Sequence, residues 1–200
     1  MSNFKYVRPV LPSGYFSWED MMIDGFDKAY IGTKKAIVCD CDGILTDGNL
    51  SYTKDGKFIK TYGCHDKEMI SLVRKLGWDI QFVTNDLSGI EITKSRLYDS
   101  LRLPVLNKNS YERAEHVKKL VDMGYVTIFC GDSPSDLTAA SFAHYCCTTK
   151  NCFEPIKKYF NYVSEYEGGH GGLADILYKI IIEGKDILKY AEPVSILNNK

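Results

Sequence analysis

Ala36-Ile37-Val38-Cys39-Asp40-Cys41-Asp42-Gly43-Ile44-Leu45-Thr46-Asp47 is the stretch around which the rest of the chain can be ordered. Its first four residues are apolar, and with Lys35 they read as a buried strand running to Asp40. In a regular strand, residues i and i+2 share a face. Asp40 and Asp42 are therefore expected to converge on one side while Cys41 points away. Two carboxylates at a strand's end, followed by Gly43, suit one chemistry: the first attacks phosphorus and the second handles protons.

Downstream, the sequence alternates strand and helix signals. Asn49 to Lys54 and Lys57 to Tyr62 flank Asp55-Gly56, a strong hairpin signal. Such a hairpin, placed directly after the candidate nucleophile, is expected to act as a flap. Asp66 is expected to cap a helix carrying Met69, Ile70, Leu72, Val73 and Leu76, stopped by Gly77. Trp78 to Val83 reads as a second buried strand ending in Thr84-Asn85-Asp86, followed by a helix from about Ser88 to Tyr98. Pro104 to Leu106 is a short strand, and Tyr111 to Met123 a helix. Tyr125 to Cys130 is a further apolar strand ending in Gly131-Asp132-Ser133-Pro134-Ser135-Asp136, with Ser133 suited to cap the next turn and Pro134 to open it. Short strands at His144 to Thr148 and Phe160 to Val163, a glycine loop from Gly168 to Gly172 and a helix from Leu173 to Ile182 complete the series.

This β-α repetition predicts an α/β fold, a Rossmann-like three-layer arrangement with helices on both faces of a parallel sheet. Ligands of such sheets bind at the carboxyl ends of the strands. Three of those ends carry polar clusters: Asp40/Asp42, Thr84/Asn85 and Asp132/Asp136. Residues 34–183 are expected to form this domain, preceded by an N-terminal arm (1–33) and followed by a C-terminal tail (184–200). Ser17 has the look of a helix N-cap in the arm, with Met21, Met22, Ile23 and Phe26 as a packing face.

The totals narrow the choice. The chain has 200 residues, 44% of them hydrophobic and 26% charged, as in an ordinary globular protein. A net charge of −1 gives no bulk attraction to nucleic acid or anionic lipid. No apolar run is long enough to span a bilayer, and the polar, aromatic N-terminus lacks the apolar core of a secretory signal. A cytoplasmic protein without membrane or nucleic-acid partners is expected. The seven cysteines include no C-x-x-C pair, and Cys39, Cys41 and Cys130 read as small buried hydrophobes in a reducing compartment. A calcium loop starting at Asp40 fails, because Ile44, Thr46 and Ser51 occupy positions where acids are needed.

Taken together, Asp40-x-Asp42-Gly43-x-x-Thr46, Thr84 and Gly131-Asp132-x-x-x-Asp136 resemble the first, second and fourth motifs of the haloacid dehalogenase superfamily, which is mostly phosphatases. The longer string through Leu45-Thr46-Asp47-Gly48, the Asp-Gly hairpin and the late glycine loop look like the 3-deoxy-D-manno-octulosonate 8-phosphate phosphatase family, whose members are capless and tetrameric. The intervals between motifs are too short for a cap domain, so an open site or a neighbouring subunit as lid is expected. The resemblance implies Mg²⁺ held by the Asp40 carboxylate, the Asp42 main-chain carbonyl and Asp132. It implies phosphate binding by Gly43, Thr84 and Asn85. Asp136 and Asp47 would support the site from behind, although Asp47 suits a turn acceptor equally well.

Three departures from that pattern stand out. The lysine expected before the fourth motif is replaced by Arg113 or by Lys108, with Arg113 the better fit. His65 stands where relatives carry Arg, and Asp86 where they often carry another Arg, which predicts a less cationic site. His65 and His170 are candidate substrate contacts. The expected activity is Mg²⁺-dependent hydrolysis of a sugar phosphate, possibly an acidic eight- or nine-carbon one. A nucleotide or nucleic-acid-end phosphatase and a non-catalytic binding scaffold are the alternatives.

Overall fold

A computed structural model describes residues 34–183, so the N-terminal arm with its Ser17 cap and the C-terminal tail lie outside the described residues. Six strands form one parallel sheet. They are β1 (Lys35–Asp40), β4 (Asp79–Thr84), β5 (Val105–Asn107), β6 (Val126–Cys130), β7 (Tyr145–Thr148) and β8 (Tyr162–Val163), in the order β5-β4-β1-β6-β7-β8. Two further strands, β2 (Ser51–Thr53) and β3 (Gly56–Ile59), make a separate antiparallel hairpin.

The order places β1 in the middle. From β1 the chain runs outward through β4 and β5, then crosses back to β6 on the other side. The gap between the ends of β1 and β6 is therefore the point where the winding reverses, and crevices at such points bind ligands. Asp40 ends β1, and Asp132 lies two residues past β6.

Every residue of β1 is buried, as a strand covered on both faces requires. Its alternate side chains divide between two cores. Ile37, Cys39 and Cys41 join Ile80, Phe82, Ile128 and Cys130 on one face. That face is covered by α1 (Asp66–Lys75) through Ile70 and Val73, and by α5 (Gly172–Leu177) through Leu173, Ile176 and Leu177. Ala36 and Val38 join Val83 and Phe129 on the other. There α3 (Ser110–Asp122) contributes Ala114, Val117 and Leu120, and the short α4 (Leu137–Ala140) contributes Ala139 and Ala140. Cys39, Cys41 and Cys130 are fully buried among these apolar groups.

Local chemistry sets the ends. Asn109 opens α3 with a capping box: its side chain accepts from the N–H groups of Tyr111 and Glu112, and Glu112 accepts from the Asn109 N–H. The helix expected over 88–98 is shorter and uneven. It is α2 (Ile90–Lys94), followed by a wide turn over Ser95–Asp99.

Asp66 differs from expectation. It does not cap α1; His65 occupies that position without a side-chain cap. Asp66 instead turns inward, where its Oδ1 accepts from the Ala174 N–H at the start of α5 (3.0 Å) and its Oδ2 has no partner among the described residues. The side chain thus ties α1 to α5, and burial pushes its pKa up to about 6 despite the Ala174 hydrogen bond. An unfolded aspartate titrates near ~3.9. Between those values the folded protein keeps a proton that the unfolded chain releases, so stability falls as pH rises through this window. The loss is complete above it, on the order of 3 kcal/mol. Asp66→Asn is expected to raise the melting temperature at pH 7.5 and to flatten its decline between pH 4 and 6, as measured by calorimetry at several pH values.

Candidate active site

The loop after β1 is shaped by its own backbone. The N–H groups of Leu45 and Thr46 donate to the Cys41 carbonyl (3.0 and 3.1 Å). Thr46 Oγ1 accepts from the N–H groups of Gly43 and Gly48 at 3.4 and 3.3 Å. Gly43 has φ +83°, and a Cβ there would stand 1.9 Å from Asp132 Oδ2. Only glycine combines that conformation with that proximity. Across the sheet edge, the Thr149 hydroxyl donates to the Gly43 carbonyl (2.7 Å). The glycine loop lies against the same turn, for a Cβ on Gly168 would be 2.2 Å from the Gly43 oxygen.

Arg113 reaches this loop from the first turn of α3. Its guanidinium is almost fully buried, with Nη2 3.3 Å from Asp40 Oδ1 and Nη1 bonded to Asp136 Oδ1. Asp136 Oδ2 accepts from the N–H groups of Asp132 and Ser133 and from the Ser133 hydroxyl (3.1, 3.0 and 2.9 Å). The Asp136 carboxylate therefore fixes both the guanidinium and the turn that carries Asp132.

One guanidinium does not balance the acids gathered here. Carboxylate oxygens of Asp40, Asp132 and Asp136 lie within 4.8 Å of one another. Burial and the neighbouring Asp136 push Asp40 well above the usual carboxylate range against the pull of Arg113. The same two causes push Asp132 up to about 7. Crowded, partly desolvated carboxylates short of positive charge fit a divalent cation. Asp136 has its oxygens engaged, whereas Asp40 and Asp132 retain lone pairs for a metal.

The remaining expected residues divide. Thr84 is buried at the end of β4, and its Oγ1 accepts from the Asp86 N–H (3.0 Å), which leaves the hydroxyl proton to donate. Asn85 beside it is exposed. Asp42 is half-buried, with Oδ1 3.4 Å from the Thr46 hydroxyl. Lys108 does not appear among the contacts of Asp40: its N–H donates to the Thr84 carbonyl (2.9 Å), and its charge acts on His116. The Asp47 carboxylate accepts from the Asn49 N–H and side-chain amide (3.0 and 3.1 Å), the role of a turn acceptor. His65 and His170 line a common cavity of about 380 Å³ with Tyr166, Tyr178 and Asp175.

No family model matches the chain. It is 26% identical over 145 residues to the 3-deoxy-D-manno-octulosonate 8-phosphate phosphatase KdsC of Haemophilus influenzae, spanning 71% of this chain and 79% of that protein. The fold matches the cobalt-bound H. influenzae phosphatase with a TM-score of 0.64 at 21% identity, over 80% of this chain and 90% of the other. It also matches the Moraxella catarrhalis 3-deoxy-D-manno-octulosonate 8-phosphate phosphatase in complex with magnesium, phosphate and KDO, with a TM-score of 0.62 at 17% identity, over 89% of this chain and all (100%) of that one. The chain therefore has the fold of these phosphatases and is similar in sequence to one of them.

The structure brings two further residues to this site that the sequence reading missed. Lys60 Nζ, at the foot of the hairpin, lies 2.9 Å from Asp42 Oδ1 and 2.8 Å from Asp86 Oδ2. Lys57 Nζ, on β3, lies 2.5 Å from the same Asp86 oxygen. Asp86 draws two ammonium groups from the hairpin to the sheet edge, and their charge is matched there by Asp86 and Asp42. No local pattern marks these lysines, because their partners are distant in sequence.

Two substitutions probe this geometry. Gly43→Ala is expected to displace Asp132 and weaken Mg²⁺ binding by about tenfold or more, measured by titration calorimetry. Arg113→Met leaves Asp136 buried without its counter-ion and should cost about 3–5 kcal/mol in denaturant unfolding.

Proposed function

We propose that this chain is a Mg²⁺-dependent phosphomonoester hydrolase that works through an aspartyl-phosphate on Asp40 and takes a sugar phosphate as substrate. The observation that carries this reading is the meeting of Asp40, Asp132 and Arg113 at the reversal point of the sheet. The activity named for the curated relative supports it.

In the first step an Asp40 oxygen bonds to phosphorus as the phosphorus–oxygen bond of the ester breaks. Asp42 supplies the proton that the departing alkoxide needs. In the second step water bonds to phosphorus, Asp42 takes its proton, and the bond to Asp40 breaks to release phosphate. Asp40 and Asp132, with the Asp42 carbonyl by resemblance, would hold the metal, which when bound offsets repulsion between the nucleophile and the phosphate dianion. Thr84 has a hydroxyl proton free for a phosphate oxygen. Arg113 Nε is buried without a partner among the described residues, and a phosphate oxygen would relieve an unpaired donor that otherwise costs about 1–3 kcal/mol.

The cavity bordered by His65, His170, Tyr166 and Tyr178 includes none of the reacting residues in its lining, but its imidazole and phenol groups donate and accept hydrogen bonds and its rings offer flat apolar faces of the kind that take a polyol. The M. catarrhalis complex, which contains KDO, supports an acidic sugar. The hairpin supports assembly, because Leu50, Tyr52, Phe58 and Ile59 stand exposed on it. A second copy is the natural cover for such an edge, and a homotetramer in which neighbours close the open site is the form proposed.

A phosphate-release screen over sugar phosphates, nucleotides and small phosphoacids is the test. The expected result is Mg²⁺-dependent turnover of a sugar phosphate, at least about 10³-fold slower in Asp40→Asn and abolished by chelator. Folded, metal-loaded protein that releases no phosphate from any ester would overturn the reading. Tyr52→Asp/Phe58→Asp is expected to convert the tetramer to smaller species in light scattering; wild-type protein that is only monomeric contradicts the shared lid.

A further inference from the structure

Lys60 is an unusual lysine. Its side chain is only 1% exposed, and its ammonium group is held by three partners: Asp42 at 2.9 Å, Asp86 at 2.8 Å and the Thr93 hydroxyl at 2.9 Å. Both Asp42 oxygens are within its reach, since Oδ2 accepts at 3.0 Å. Burial alone would lower its pKa, but Asp86 and Asp42 outweigh burial and raise it. Lys60 is therefore a fixed cation. Asp86 is fixed in turn: Ser88 Oγ and the Gly89 N–H donate to its Oδ1 (2.8 and 3.1 Å), while Lys57 and Lys60 share its Oδ2.

This junction has been given room. A Cβ on Gly89 would stand 2.3 Å from Asp86 Oδ2, 2.8 Å from Lys60 Cε and 2.9 Å from Lys57 Cδ. Any larger residue at 89 would push the two lysine stems off Asp86. Among the described residues, the hairpin forms no ladder with the six-stranded sheet, and only the Thr46–Tyr62 bridge pairs its exit strand with the nucleophile loop. The charged junction is thus a principal tie between hairpin and site.

We propose that Lys60 is a positioning residue for Asp42, anchored by Asp86 and Lys57, so that seating of the hairpin and aim of the proton-transfer carboxylate form one unit. The inference rests on the phosphatase reading above. A free aspartate at the edge of an open site would sample several rotamers. Clamping it to a buried ammonium that Asp86 and the Thr93 hydroxyl hold in place removes that freedom before substrate arrives. The chain of contacts also gives the hairpin a function beyond covering the site, because lifting it withdraws the cation on which Asp42 rests.

Leaving-group dependence separates positioning from simple structural support. An alkyl phosphate needs a proton on the departing oxygen, whereas p-nitrophenolate departs as a stable anion. In kcat/KM, which reports steps up to transfer of the phosphoryl group to Asp40, Lys60→Met is expected to slow a sugar phosphate by about 100-fold or more. Cleavage of p-nitrophenyl phosphate should fall by less than about tenfold, leaving the general-acid contribution as the difference. Asp86→Asn keeps the Lys60–Asp42 contact and loses the anchor. It should shift the ratio of the two esters in the same direction by a smaller factor, and it stands in if Lys60→Met fails to fold by circular dichroism. Equal losses on both esters, or an alkyl ester cleaved as fast as by wild type or faster, would overturn the proposal while leaving the phosphatase reading intact. A wild-type protein that cleaves neither ester would sink both.

Discussion

The site depends on one guanidinium shared between two buried carboxylates. Arg113 enters from the first turn of α3 and stands between Asp40 and Asp136. Without it, the acids that the sheet's winding brings together would repel one another in a poorly solvated pocket. With it, the positive charge is still insufficient, and Asp40 and Asp132 remain pushed towards protonation. This incomplete balance separates the cluster from an ordinary structural ion pair. A fully compensated group would gain nothing from a metal ion or from the changing charge of a transferring phosphoryl group.

Around that pair, the fold keeps side chains out so that backbone and carboxylates can meet. Gly43 lies under the Asp132 carboxylate, Gly168 rests on the Gly43 oxygen, and Gly89 clears space for two lysines. Each contact joins segments far apart in the chain, so the loop after β1 is fixed by the sheet edge, the late glycine loop and the hairpin together. Two hydrophobic cores on opposite faces of the sheet hold these edges in register.

Much of this arrangement was legible in the sequence because its signals are local. Largely apolar runs marked β1, β4 and β6, and Asp-Gly marked the hairpin. Polar clusters at the ends of three strands marked the edge where Asp40 and Asp132 meet. Asp66 was misread because a carboxylate before a helix looks like a cap whether it faces the helix or the core; only the position of Ala174 decides. The choice between Arg113 and Lys108 likewise turned on how the first turn of α3 and the loop before it sit against the end of β1. Lys57 and Lys60 were invisible because a lysine in a hairpin normally faces water, and their partners lie across the site. Asp86 read only as a lost positive charge; that it is the counter-ion of two hairpin lysines depends on contacts far apart in the chain.

The account's central claim is that Asp40 receives the phosphoryl group beside a divalent cation held with Asp132. A crystal structure of the protein with Mg²⁺ and beryllium fluoride tests it most directly, since trifluoroberyllate copies a phosphoryl group bonded to a carboxylate. The account predicts beryllium bonded to an Asp40 oxygen and the metal in contact with Asp40 and Asp132. Beryllium fluoride absent from Asp40 while Mg²⁺ sits elsewhere, with Asp132 and Arg113 unchanged, would contradict it.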